Sequence, residues 1–193
     1  MAIKSSIIEK DGIFFITFTC CQWLSLIQQT NAFDAIYKWF DHLKSKGHFI
    51  VGYVIMPNHL HILIAFKHSK ENIATVVSNG KRFIAYEIIK RLQKANAVAT
   101  LKKLFDAVSA SDRKRGKLHQ VFEPSFDWKE SRRNKFINQK LDYMHNNPCK
   151  GVWNLATKAI EYPHSSAKYY LTGEQGIYEI KGYTFLEDID LTK

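Results

Sequence analysis

The stretch that most constrains the fold is Tyr53-Val-Ile-Met-Pro-Asn-His-Leu-His-Ile-Leu-Ile-Ala65. It reads as an apolar strand, a tight break at Pro57-Asn58, and a second apolar strand. Strand side chains alternate between faces, so His59 and His61 share one face while Leu60 and Ile62 take the other. Two neutral imidazoles converging from a rigid strand supply half of a divalent-metal site. The same pair also suits a partly buried strand with two hydrogen-bonded histidines, and the rest of the chain has to separate these readings.

The neighbouring segments build a frame around that strand pair. Residues 12–20 are β-branched and aromatic and apolar on both faces, which predicts a central strand. Residues 22–27 read as a loop or turn. Over 31–46, Phe33, Ile36, Tyr37, Phe40 and Leu43 recur at helical spacing, and Gly47 offers a stop. Residues 48–55 form a strand that the histidine strand follows at once, which predicts an antiparallel hairpin. A second helix is expected over 72–92, with Gly80 as a weak point. Strand, helix, strand, strand, helix is most of a ferredoxin-like α+β plan with a central antiparallel sheet and packed helices. Residues 118–122 are expected to be a further short strand. One domain over 1–193 is expected, with 93–117 a surface insertion or connector and 171–193 a C-terminal extension. The basic run Ser111-Asp-Arg-Lys-Arg-Gly-Lys117 within that connector reads as a solvated loop or a nucleic-acid contact.

Charge narrows the choice of partner. The net charge is +10 and the pI about 9.4, which favours a polyanion, nucleic acid ahead of an anionic membrane surface. No apolar run approaches the roughly 18–20 residues of a membrane span, and the N-terminus lacks a signal-peptide pattern. Cys20, Cys21 and Cys149 fit neither a disulfide framework nor a zinc knuckle, so a reducing cytoplasm is the expected location.

The second informative stretch is Arg132-Arg-Asn-Lys-Phe-Ile-Asn-Gln-Lys-Leu-Asp-Tyr-Met-His-Asn-Asn-Pro148. Phe136, Ile137, Leu141 and Met144 mark the apolar side of a helix. Pro148 forbids its continuation and is expected to push Asn147 out of helical geometry. Tyr143 and Asn147, four apart, are neighbours on one face if the last turn holds. Tyr143 also fits as an ordinary packing residue. Arg132, Arg133, Lys135, Lys140 and Lys150 give the helix a basic side suited to phosphate.

Together these motifs resemble a known family. Met56-Pro-Asn-His-Leu-His61 is similar to the histidine-hydrophobic-histidine motif of the HUH single-tyrosine transposases. Tyr143-Met-His-Asn-Asn-Pro-Cys-Lys-Gly151 resembles their tyrosine-bearing helix end, most of all in the REP-associated tyrosine transposase branch. Tyr162-Pro-His-Ser-Ser-Ala-Lys-Tyr169 is similar to a tail segment of that branch, and Gly80-Lys-Arg-Phe83 sits where the family has a basic helix. The resemblance spans roughly residues 12–170. The 93–117 segment has no counterpart, and 121–131 departs from the family pattern, which leaves substrate-specific contacts open.

The resemblance implies a DNA transposase acting on single-stranded or REP-like hairpin DNA through a covalent 5′-phosphotyrosine intermediate. Tyr143 would be the nucleophile; His59, His61 and Asn147 would hold Mg²⁺ or Mn²⁺. Lys81, Arg82, Arg132, Arg133 and Lys150 are candidate DNA contacts, and the assembly would be a monomer or homodimer. A phenol of pKa about 10 is a weak nucleophile at neutral pH, so placement and a cation beside the phosphate matter. His145 is a minor candidate for proton transfer, and Trp128, Trp153 and Tyr169 for base stacking or core packing. Two alternatives stay open: a non-catalytic DNA or RNA hairpin binder on the same fold, and a metal-dependent nuclease that uses water, with Tyr143 structural.

Overall fold

The computed structural model describes residues 10–131 and 133–193; Arg132 and residues 1–9 lie outside the described residues. The chain runs β1 (Gly12–Thr19), one turn of helix α1 (Leu26–Gln29), α2 (Phe33–Ser45), β2 (Phe49–Ile55), β3 (His59–Phe66) and α3 (Ile73–Lys94). It continues through two short helices, α4 (Val98–Asp106) and α5 (Ala110–Lys114), to β4 (Asp127–Glu130), α6 (Asn134–Asn146) and α7 (Ala167–Thr172). The sheet order is β2-β3-β1-β4, and every neighbouring pair is antiparallel. This is the expected ferredoxin-like α+β arrangement, with β1 and β3 central.

Alternation along the strands sorts side chains into two layers. Phe14, Ile16 and Phe18 of β1 and Leu60, Ile62, Ile64 and Phe66 of β3 face α2 and α3. Those helices answer with Ala35, Ile36, Trp39, Phe40 and Leu43, and with Ile73, Val77, Ile84, Ile88 and Leu92. Asn72 caps α3, its side chain accepting from Thr75 N–H at 2.8 Å. Gly80 is a point of contact rather than of weakness: a Cβ there would lie 2.3 Å from Trp39 Cε2. Glycine is what lets the indole of α2 seat against α3.

The opposite face carries Phe15, Val51, Val54, Leu63 and Ala65 and is covered by Ile137, Leu141 and Met144 of α6, with Tyr162 and Leu186. A bulge in β2 sets Ile50 opposite Ile64 and Gly52 opposite Leu63, with Val51 as the extra residue. Gly52 thereby lies under α6, where a Cβ would meet Leu141 Cδ2 at 2.6 Å. The close approach of α6 to the sheet depends on that missing side chain.

The Tyr162–Tyr170 region explains its own motif, because it seals the free edge of β2. Ile55 N–H donates to His164 O at 2.9 Å and Ser166 N–H to Tyr53 O at 2.9 Å. Ser166 Oγ accepts from Tyr53 N–H, while the Tyr162 and Tyr170 hydroxyls donate to Ile55 O and Val51 O, each at 2.7 Å. An exposed edge strand invites pairing with another chain, and here Val51, Tyr53 and Ile55 are already bonded along that edge.

Three expectations need correction. The fourth strand is Asp127–Glu130, not 118–122; Phe122 makes only an isolated bridge to Cys20. Asn147 keeps helical geometry (φ −56°, ψ −45°) because Pro148 continues directly into a 3₁₀ turn. The basic run of the connector is partly helical: α5 is capped by Ser109, and Asp112 pairs with Arg115 and Lys117. Leu104 of α4 enters the core, as do Tyr178 and Ile180 of the C-terminal segment. No helix among the described residues is long and apolar enough to cross a membrane.

Candidate active site

The site starts at the β2–β3 hairpin tip, which the segment after β1 holds in place. Pro57 O accepts from the N–H groups of Ile27 and Gln28 at 3.1 and 3.2 Å, and Asn58 O accepts from Cys20 N–H at 2.7 Å. Asn58 is buried, and its side-chain amide donates to Trp23 O at 3.0 Å. Its other end, Oδ1, lies 2.6 Å from His59 Nδ1. With the amide NH₂ committed to a carbonyl, Oδ1 must accept, so His59 Nδ1 carries the proton and Nε2 keeps its lone pair.

His61 is held in a parallel way. Its Nδ1 is 2.7 Å from Thr17 Oγ1, the residue directly across on β1. Phe15 stacks on the ring at 5.6 Å and 15°. The two imidazole centroids are 4.8 Å apart, and both side chains lie on the face covered by α6. Burial pulls the pKa of His59 down to about 4. Burial, then the neighbouring His59 and Lys140, take His61 down to about 3. Both rings are therefore neutral at physiological pH. An outer hydrogen bond that fixes the tautomer is the usual support for a metal-binding histidine.

Helix α6 brings Tyr143 over this pair. Its ring centroid is 5.3 Å from His61 and 6.3 Å from Phe15, both edge-on, and the residue is 53% exposed. Lys140, one turn earlier, sets its ammonium 4.8 Å from the Phe15 ring centre and 5.7 Å from that of Tyr143. Burial, then Lys129, lowers the Lys140 pKa. The outcome is a half-exposed phenol, a cation and two neutral imidazoles at one end of the sheet.

The ligand set fits a divalent ion in kind. Among the described residues no group of three or more His, Cys, Asp or Glu side chains is placed to hold a metal. A third protein ligand would therefore have to be a neutral oxygen. Asn147, one turn after Tyr143, has a buried amide nitrogen with no hydrogen-bond partner. Turning that amide by 180° would put its oxygen in the same place, so either end of the side chain can face that position.

The candidate DNA contacts divide. Arg133 at the start of α6 and Lys150 just past its end are exposed; Arg132 lies outside the described residues. Arg82 is exposed on α3, in the layer on the other side of the sheet. Lys81 departs from expectation: it is buried, and Nζ donates to Glu123 O at 2.7 Å and Ser125 O at 3.0 Å. Burial lowers its pKa to about 8. Its ammonium ties down the loop leading into β4 rather than meeting solvent.

His145 is likewise structural. It is buried with Nε2 2.8 Å from Ser166 Oγ, linking α6 to the edge-sealing segment, and burial takes its pKa to about 4. Trp128 packs on Phe14 at 5.9 Å, Tyr169 packs on Tyr170, and Trp153 lies 6.0 Å from His59. Sequence reasoning missed Thr17 and Phe15, which only the β1–β3 register places beside His61, and the tethering role of Asn58.

No protein-family model matches the chain, and no curated protein does. Among solved structures, a REP-associated tyrosine transposase bound to a REP hairpin superposes with a TM-score of 0.58 at 17% identity. That match covers 100% of this chain and 98% of the other. A candidate transposase from Deinococcus radiodurans R1 gives 0.38 at 16% identity over 74% and 95%, too loose to add to the argument. Fold and site thus define a ferredoxin-like sheet with a His-x-His strand beneath a tyrosine-bearing helix. The fold is similar to that of a REP-associated tyrosine transposase.

Proposed function

We propose that this protein is a metal-dependent single-tyrosine DNA transposase that nicks and rejoins single-stranded or hairpin DNA through a 5′-phosphotyrosine. The observation that carries the proposal is the half-exposed Tyr143 ring held 5.3 Å from His61, itself 4.8 Å from His59. A binding module has no need to bring a phenol to two neutral, hydrogen-bonded imidazoles.

Each residue then has a task. Thr17 and Asn58 orient His61 and His59 so that Nε2 of His59 stays unprotonated, and of His61 too when its Nδ1–H donates to Thr17. These two nitrogens, with the Asn147 amide oxygen, would hold Mg²⁺ or Mn²⁺, which would neutralise charge on the scissile phosphate. Helix α6 delivers Tyr143 Oη to the phosphorus. As the Tyr143 O–P bond forms, the phenol proton passes to solvent at this exposed edge, the P–O3′ bond breaks, and the freed 3′ oxygen takes up a proton. The phosphodiester is conserved in the tyrosine ester, so rejoining reverses the step without a nucleotide cofactor. Lys140, Arg133 and Lys150 supply positive charge along the DNA path. One chain brings Tyr143 to its own His61, which supports action in cis.

The hairpin substrate is supported by the similar transposase bound to a REP hairpin. The test is incubation with a 3′-end-labelled REP-like hairpin carrying single-stranded flanks, with Mn²⁺, followed by denaturing electrophoresis. The wild-type chain should shift the label into a protein-sized band, and Tyr143→Phe should not. Cleavage by Tyr143→Phe without a shifted band would instead indicate a water-using nuclease. Binding without cleavage by the wild type would indicate a hairpin-binding protein.

A further inference from the structure

Trp23 is the feature the chemistry above leaves unused. It is 66% exposed, whereas Trp39 is 3% exposed in the core and Trp128 and Trp153 are partly buried. An indole carries a large apolar surface that folding normally removes from water. Here the fold holds it out, and the backbone is strained in doing so. Gln22 and Trp23 both adopt left-handed geometry (φ 53° and 57°), adjacent non-glycine residues in a region that side chains avoid.

That strain is held from several sides. Cys21 N–H donates to Val121 O at 2.8 Å, Gln22 N–H to Glu123 Oε1 at 2.9 Å, and Trp23 N–H to Cys20 O at 3.1 Å. The carbonyl of Trp23 accepts the Asn58 amide, whose other end holds His59. One side chain thus holds both the Trp23 backbone and the histidine. The Trp23 and His59 ring centroids are 6.1 Å apart, and Trp153 lies 6.0 Å from the same histidine. His59 accordingly has two indoles about equally near, one of them open to solvent.

We infer that Trp23 is a base-stacking platform that takes the unpaired nucleobase beside the phosphate under attack and so sets that phosphate over His59. The chemistry is that of single-strand recognition: a flat π surface, tolerant of sequence and blind to a base locked in a duplex. Strain concentrated beside a reactive centre is the expected signature of such a preset element. The inference rests on the nucleic-acid reading of the site but not on the tyrosine chemistry.

The test measures DNA binding apart from cleavage. Fluorescence anisotropy without divalent ion compares wild type, Trp23→Ala and Trp23→Phe on a labelled hairpin with single-stranded flanks, and on the same hairpin with one abasic position stepped along each flank. One stacked base corresponds to roughly a 5- to 150-fold weakening for Trp23→Ala on the intact flank. Trp23→Phe should keep most of the affinity. One abasic position should weaken wild type by a similar factor and leave Trp23→Ala unchanged, so the two losses do not add. Equal binding by wild type and Trp23→Ala, or losses that multiply at every abasic position, would overturn the inference. Loss of adduct in Tyr143→Phe or its persistence bears on the strand-transfer reading alone, so the two failures are distinguishable.

Discussion

Gly52→Ala tests whether the site depends on how closely α6 lies against the sheet. The added Cβ would sit 2.6 Å from Leu141 Cδ2, below the 3.0 Å that real contacts respect and the 3.4 Å of ordinary contact, so between 0.4 Å (3.0 − 2.6) and 0.8 Å (3.4 − 2.6) must open. Leu141 is buried, and Met144 Cε already lies 3.8 Å from the same point, which blocks one escape. Overpacking of this kind costs about 1–3 kcal/mol. Removing glycine's backbone freedom from a strand returns about 0.5–1 kcal/mol. The net is a loss of up to about 2.5 kcal/mol, centred on roughly 1 kcal/mol, or up to about 10 °C in Tm for a chain of this length. Tyr143 follows Leu141 by two residues, and a shift near 1 Å at a reacting group costs as much as about 10²-fold in rate. Thermal unfolding together with single-turnover adduct formation should show both losses while hairpin affinity is retained. Leu141→Ala alone should cost about 2–5 kcal/mol, and the double variant should lose less than the sum, because the clash and the cavity meet. A Gly52→Ala protein at least as stable as wild type, or strictly additive losses, would refute the packing argument.

Other expectations follow from the same geometry. Gly80→Ala should lower Tm although alanine favours helix by about 1 kcal/mol, because its Cβ meets three Trp39 ring atoms at 2.3–2.8 Å; a rise in Tm would contradict the close approach. Thr17→Val removes the hydroxyl at His61 Nδ1 and should weaken Mn²⁺ binding by about 10- to 100-fold in calorimetry; unchanged affinity would remove Thr17 from the site. Burial raises the Tyr162 pKa from 10.0 to about 12. The unfolded phenol then loses its proton from about pH 10 while the native one keeps it, so stability is full below pH 10 and lost as pH rises to about 12. The pKa change corresponds to roughly 3 kcal/mol, and Tyr162→Phe should flatten that alkaline limb in pH-dependent urea unfolding. An identical limb in the variant would place the titration elsewhere.

Where local pattern decides structure, the sequence was enough. Alternation put His59 and His61 on one face, and the spacing of Phe136, Ile137, Leu141 and Met144 marked the helix that spans Asn134–Asn146. The fourth strand was misplaced because Asp127–Glu130 is a short edge strand of mostly polar residues, held by pairing to β1 rather than by its own apolarity. Lys81 looked like surface charge because only the loop 123–125, folding back over α3, supplies the carbonyls that bury it. Thr17 and Phe15 needed the β1–β3 register, and no local pattern distinguishes an indole held out at Trp23 from one packed inside. The site residues brought by local periodicity were legible; those brought by long-range pairing were not.

The most direct test of the central claim is the identity of the residue that carries DNA. After reaction of a hairpin oligonucleotide with Mn²⁺, the adduct would be digested with nuclease and protease and the modified peptide sequenced by mass spectrometry. The account predicts a nucleotide 5′-phosphate on Tyr143 and nowhere else, absent from His61→Ala. A nucleotide on any other residue, or cleaved DNA with unmodified Tyr143, would contradict it.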